Sequence, residues 1–486
     1  MKIKYLFIMA CSLLFISSGC RKLVEVDGPS TSISSANAYK TNATAIGVLN
    51  SLYVNMLGSL TSPGQLNSLS CIAGLSADEL SYERLAGSSI LDSYYRNVLT
   101  NTTGGNSYWS GSYSKLFVVN SAIIGLTESK ELTPAVKRQL LGEAHFMRAV
   151  YYFYLVNLYG EVPLVLSTDY TVNALIGKSS RDQVYQQIVS DLKNAQNLLN
   201  DSYLQADCIT SYPSGLEERI RPTKYLATAL LARTFLYLQD WPNAEEQATS
   251  LIANTNYFQL ESIDNVFLKN NREAIWQIPS TSNTSNTPDA DTFIIRFGGA
   301  PGPNNPVYLN EALTSDFQAG DKRKSNWMSS IVSKGITYFY ANKYKVVSPP
   351  LGSEVKEYTV FMRLAEIYLI RAEARAQLGN LAGAVADLDK IKQRAGIPSV
   401  ADTNPTIGKD ELVAMILEEK KLELFTEWGH RWLDLKRGGK IDEVMRTVTP
   451  KKNNGGVWKS YQQFYPIPLV ELQANPNLTP TPGYQF

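Results

Sequence analysis

The chain has 486 residues, a formal net charge of +1, and is 44% hydrophobic and 19% charged. That length allows a large core, the composition excludes a disordered chain, and the balanced charge leaves no global field favouring nucleic acid or an anionic surface. Tyrosine is over-used, with 28 Tyr against 16 Phe and 7 Trp; a flat apolar face with a polar tip suits wet binding surfaces.

Met1–Lys4 is short and basic, and Tyr5–Ile16 is apolar apart from Ser12. The run is far shorter than the roughly 20 residues of a membrane-spanning helix, so residues 1–19 read as a secretory signal. Ser17-Ser18-Gly19 then puts small residues before Cys20. This resembles a bacterial lipobox, although Ser17 stands where leucine is commoner. The resemblance implies a diacylglyceryl group on the Cys20 thiol and a fatty acid on its new amino terminus. Several acyl chains exceed the two signals that stable anchoring needs, at about 0.8 kcal/mol per buried methylene. Loss of Lys2 and Lys4 with the signal lowers the bases from 46 to 44 against 45 acids. Cys11 leaves too, so Cys71 and Cys208 remain besides Cys20, too few for a disulfide framework. Whether those two pair stays open. Residues 20–35 form an extended tether in which Gly28-Pro29 blocks a helix.

Ala36–Leu57 has helical periodicity, with Ala38, Ala45, Val48, Leu49, Leu52 and Met56 on a broad face. Leu69–Leu80 carries Asp78-Glu79, an acid pair better read as a solvated helix start than as an acid/base couple. Ser81–Tyr108 is loop-like, with Tyr82, Tyr94, Tyr95 and Tyr108 among Asn, Ser, Thr and Gly. Aromatic faces on polar loops stack on the apolar C–H patches of sugar rings, which makes Tyr82, Tyr94 and Tyr95 ligand candidates. Trp109, Tyr113, Phe117 and Asn120 follow at helical spacing as a buried face. Glu143–Tyr159 is a strong helix, with Asp182–Leu199 as its partner, and Arg221–Ile252 forms a second hairpin. His145 has no HExxH or Cys/His neighbour, so no metal site is expected.

Pro279–Pro306 is rich in Ser, Thr, Asn, Gly and Pro and cannot hold a regular element for long. Its GAPGPNNP run lacks the Gly-Lys-Ser/Thr ending of a phosphate loop. Trp327, Tyr338, Phe339, Tyr340 and Tyr344 make a second aromatic group, and Trp327 joins the ligand candidates. Phe361–Gly396 then reads as a helical hairpin, with Phe361, Ala365, Tyr368 and Ala372 on one helix and Leu381, Ala384, Val385, Leu388 and Ile391 on the other. Gly379-Asn380 supplies the turn and Gly396 with Pro398 the stop. Leu378, Ala384, Leu388 and Ile391 step by six, four and three, as do Leu238, Ala244, Ala248 and Leu251. Recurring hairpins of this kind mark tetratricopeptide-type repeats, which bury their faces by stacking. Leu412–Phe425 continues the array. In Glu427–Lys440, His430 invites a catalytic reading, but Arg431 and Asp434 are three apart and can pair on a helix. No nucleophile motif accompanies them, and no catalytic residue or cofactor is assigned. Phe464–Tyr484 is a proline-rich tail that packs in extended form.

Together these segments resemble the SusD/RagB family of outer-membrane nutrient-binding lipoproteins. The resemblance rests on the lipobox at Cys20, GEAHFMRAVYYFYLVNLYGEVPLV at 142–165, MRLAEIYLIRAEARAQLG at 362–379, EEKKLELFTEWGHRWLDLKRGG at 418–439 and YPIPLVELQANPNLTPTPGY at 465–484. It implies a mostly α, SusD-like fold with four tetratricopeptide-like helix pairs and long irregular insertions. It implies one domain over 36–486, in N-terminal (36–270) and C-terminal (271–486) parts. It also implies a non-catalytic surface lipoprotein that passes glycans or peptides to a SusC-type TonB-dependent transporter. One departure is Arg21-Lys22 directly after Cys20, where surface-exported members often carry acids. Two other classes fit parts of the sequence. An all-α glycoside hydrolase needs two carboxylates about 5 or 6.5–9.5 Å apart, and a scaffold binding only proteins has no use for aromatic loops.

Overall fold

The computed structural model describes residues 37–484 apart from 59, 61–63, 84–89, 103–105, 281–285, 297–298, 303–304, 348, 351 and 453–455; the signal, Cys20 and the tether lie outside the described residues. The chain enters through α1 (Asn42–Val54), capped by the Thr41 side chain, and α2 (Leu69–Ser76). A short strand β1 (Leu80–Tyr82) and helix α3 (Ile90–Tyr95) follow. Within Ser81–Tyr108, residues 81–82, 90–95 and 106–108 are built into elements, because Leu80, Tyr82, Leu91, Tyr94 and Tyr95 find core partners that a loop would leave in water. The long helices α4 (Asn106–Glu128) and α5 (Pro134–Tyr159) come next, then α6 (Arg181–Leu198), started by a Ser180–Gln183 capping box. α7 (Lys224–Tyr237) and α8 (Trp241–Ile252) form the second hairpin.

The middle of the chain carries β2 (Ala274–Ile278), β3 (Val307–Leu309), β4 (Met328–Ser333), β5 (Ile336–Ala341) and β6 (Thr359–Arg363). Among the described residues they make three antiparallel pairs: β1 with β3, β2 with β6, and β4 with β5. The β4–β5 hairpin turns at Lys334 and Gly335, both at positive φ (49° and 79°), as a tight primed turn requires. Then come α9 (Leu364–Gln377), α10 (Leu381–Ala395), α11 (Lys409–Glu423), α12 (His430–Arg437) and α13 (Ile441–Val448). The expected helix from Phe361 begins at Leu364. Residues 359–363 instead form a fully buried strand on β2, where β-branched Thr359 and Val360 suit the pleat. The tail holds one more helical turn, Leu469–Ala474.

The helices pack in sequence, α4 on α5, α5 on α6, α6 on α7, α7 on α8, α8 on α9, and α9 on both α10 and α11. Such nearest-neighbour stacking buries faces that single hairpins leave open. Small residues set the spacing. Ala365, Ala372, Ala376 and Ala384 lie wholly buried between α9, α10 and α11, with Leu369, Leu388, Ile391, Leu412 and Ile416. The turn between α9 and α10 forms as the sequence dictates, with Gly379 at φ 85° and the Asn380 side chain accepting from the Gly383 N–H. Leu238 and Leu378, which open the repeated spacing, stand at the exposed hairpin ends. No described helix is long and apolar enough to cross a membrane.

A buried ionic cluster ties the middle of the chain to the last repeats. Arg363 reaches Glu273 at 2.9 Å, Glu423 at 2.5 Å and Glu427 at 2.8 Å. Arg323 bonds Asp321 (2.8 Å), Glu419 (2.6 Å) and Glu423 (3.0 Å), and Arg394 binds Glu273 at 2.6 Å and also Glu423. Lys343 closes the group on Glu427 at 2.5 Å. Three guanidiniums converge on Glu423 and hold its carboxyl well below the ordinary range against the cost of burial.

Candidate functional site: a tyrosine ledge

The four sequence candidates do not lie on open loops. Trp327 is 1% exposed and its indole N–H donates to the Ile263 carbonyl at 2.9 Å. It packs edge-on against Phe267 at 5.4 Å, under the Lys343 ammonium. Tyr94 is 0% exposed and packs edge-on against Tyr465 at 5.2 Å. Both are core side chains: Tyr94 sits on α3, and Trp327 lies between a short helix, Lys322–Asn326, and β4. Tyr82 and Tyr95 are buried as well, but their rings meet at 6.4 Å next to a partly open surface.

That surface is built on β1, β3 and β5. Antiparallel register sets Ser81 opposite Tyr308, and Asn310 Nδ2 donates to Ser81 Oγ at 3.0 Å. The Ser81 hydroxyl also lies close to the phenols of Tyr95 and Tyr308. Tyr338 on β5 meets Tyr308 edge-on at 5.2 Å, with ring planes at 90°. Tyr308 is half-buried, as are Phe339 and Tyr340 on the same hairpin. Burial, then neighbouring Tyr95 and Glu83, push the Tyr308 phenol up to about 12. Its hydroxyl therefore stays protonated, able to donate and accept at neutral pH. The hairpin tip leaves Val332 (66%) and Ile336 (55%) to solvent. The result is a ledge of edge-packed tyrosines with Ser81 and Asn310 as polar groups, the combination that takes the apolar face and hydroxyls of a sugar.

Tyr308 was missed in the sequence because it lies alone in a Pro/Asn-rich stretch. The signal was Tyr338 within the second aromatic group. Phe117, expected on a buried face, is 52% exposed instead, at the edge of a groove of about 320 Å³ with Trp109 and Tyr113. The face is split because Trp109 packs edge-on against Tyr159 at 4.9 Å, and Phe117 lies two helical turns away.

The acids that invite a catalytic reading are occupied. Asp78 is clamped by Arg431 through bonds of 2.8 and 2.7 Å, and Arg431 does not pair with Asp434. Asp434 goes to Arg437 (2.6 Å) and Lys420 (3.0 Å). Glu79 is sealed in the core, where it accepts the Thr426 N–H and burial raises its carboxyl to about 7. His430 is pushed down to about 4 by burial, and His145 Nδ1 lies 2.7 Å from Asp191, which Arg148 also grips. Among the described residues no cluster of His, Cys, Asp or Glu could hold a metal ion. Cys71 and Cys208 are both buried free thiols.

Comparison with known proteins addresses the whole fold. Residues 38–236 match the family model described as starch-binding associating with outer membrane, and 313–484 match the SusD family model. A SusD-like protein of Formosa agariphila is 26% identical over 427 residues, covering 78% of this chain and 80% of that one. Starch-binding protein SusD of Bacteroides thetaiotaomicron is 22% identical over 437 residues, covering 74% and 75%. A SusD superfamily structure from Bacteroides vulgatus superposes with a TM-score of 0.77 at 21% identity, over 92% of this chain and all of that one. A laminarin binding SusD-like protein gives 0.72 at 24% identity, over 92% and 100%. With SusD models matching both halves and the helical stack following SusD-superfamily structures, this chain belongs to the SusD/RagB family.

Proposed function

We propose that the protein is a lipid-anchored, outer-membrane glycan-binding protein that holds oligosaccharides on the tyrosine ledge and does not cleave them. The observation that carries this is the Tyr308–Tyr338 pair beside Ser81 and Asn310, an aromatic and hydroxyl-rich surface at a strand edge. The engaged state of Asp78 and Glu79 supports a non-catalytic role. The relatives named for starch and laminarin support a glycan as the ligand class.

The family membership supports delivery to a SusC-type TonB-dependent transporter, and the Cys20 motif supports anchoring by acyl chains. A glycan array probed with the purified chain tests the ligand class, and binding to at least one neutral oligosaccharide family is expected. Cys20→Ser should move the protein from the membrane to the soluble fraction. Retention of that variant in membranes would remove the anchor assignment. Co-purification of a TonB-dependent transporter with the membrane-bound chain is the expected partner result.

A further inference from the structure

On another part of the molecule, between the start of α6 and the end of α12, lies a cavity of about 300 Å³. Arg181 and Lys436 line it, with Asn157, Gln239, Gln463 and Phe464. Lys436 donates to the Asn157 carbonyl and sits 4.2 Å from the centroid of the Phe464 ring. Arg181 lies over the Tyr185 ring at 5.8 Å. Among the described residues, no carboxylate comes within the 4.0 Å of an ion pair of either cation. The adjacent Arg437 is the opposite case, matched by Glu373 and Asp434, both at 2.6 Å. Burial and the like charge of Arg181 push the Lys436 ammonium well below the ordinary lysine range. The exposed Arg181 guanidinium thus offers a charge partner at the mouth of the cavity and the buried Lys436 amine a donor inside it, and an anion held between them favours the protonated lysine.

We propose that this cavity binds the anionic group of an acidic sugar, a carboxylate or sulfate ester, between Lys436 and Arg181. Its volume is at the lower end of the roughly 300–1,000 Å³ of small-molecule pockets, so it suits one ring and not a long chain. Gln239 lines the same cavity, and Phe464 adds an apolar ring. Asp182 at the rim disfavours a second negative charge. The sugar part of this assignment rests on the glycan reading above; the charge part does not.

Thermal unfolding of the full chain with sodium sulfate, glucuronate and glucose, against sodium chloride at matched ionic strength, tests it. Glucuronate and sulfate should raise the midpoint, and glucose should not. Arg181→Gln, at an exposed position that leaves folding intact, should weaken glucuronate at least tenfold, as should Lys436→Met, while Asp182→Asn should tighten it. A response equal to chloride, or one that survives Arg181→Gln, overturns the assignment. A response to sulfate alone assigns the cavity to a free inorganic anion and overturns the acidic-sugar reading. Neutral-glycan binding on the ledge is measured in parallel. Its survival without a glucuronate response removes only this inference, and the reverse result removes only the ledge.

Discussion

The surroundings of Arg363 and of Tyr308 both place polar side chains between packed elements, with opposite outcomes. Around Arg363 every cation meets carboxylates at 2.5–3.0 Å, and the group is sealed from water. Around Tyr308 the ring and hydroxyl groups are neutral, with Glu83 as the nearby charge, the rings meet edge to edge, and Tyr308 stays half-buried. A buried charge must be matched in place, so its geometry belongs to the fold. A phenol tolerates partial exposure, so its free face remains available to a ligand. The difference divides side chains whose polar groups are spent inside the fold from those that keep a face open.

The largest expected effect breaks the first region. Glu423→Gln leaves Arg323, Arg363 and Arg394 short of negative charge and should lower stability by about 3–5 kcal/mol, read by denaturant unfolding. Trp327→Ala removes a buried indole and its bond to Ile263, and should cost about 3–5 kcal/mol by the same measurement. Once folded, this variant should keep its glycan affinity, which separates a core tryptophan from a stacking platform. Tyr308→Ala does the reverse: stability should change little, while calorimetry should show binding weaker by about 1–3 kcal/mol.

A smaller effect lies in pH. The Glu79 carboxyl has a folded value of about 7 against an ordinary 4.5. A group raised in the folded state contributes fully below its unfolded value, and that contribution is lost as pH rises through the folded one. Stability should therefore fall between pH 4.5 and 7 at this site, and Glu79→Gln should flatten that slope in pH-dependent unfolding. Asp289, also raised by burial to about 7, leaves a residual slope of the same sign.

Helix periodicity made the stack legible, since Ala384, Leu388 and Ile391 could face only one way, and Gly379-Asn380 marked the turn. Composition alone did not show which aromatic side chains stay open to solvent. Tyr94 and Trp327 sit among polar residues in the sequence, yet long-range partners, Tyr465 and Ile263, draw them inward. Tyr308 offered no local pattern, because its environment comes from Ser81, 227 positions away, and from Tyr338 on a separate hairpin. The same limit hid the true partner of Arg431. Asp434 was near in sequence, whereas Asp78 arrives through the packing of α2 against α12. Local spacing shows which face of an element is apolar; which groups meet across elements depends on the tertiary fold.

The most direct measurement is calorimetric titration of the purified chain and its Tyr308→Ala variant with neutral β-glucan and starch oligosaccharides, with reducing ends assayed in the same samples. The expected result is saturable binding of one of these glycans to the wild-type chain, at least fivefold weaker in the variant, with no new reducing ends. Equal affinity in both proteins, or sugar released by the chain alone, would contradict it.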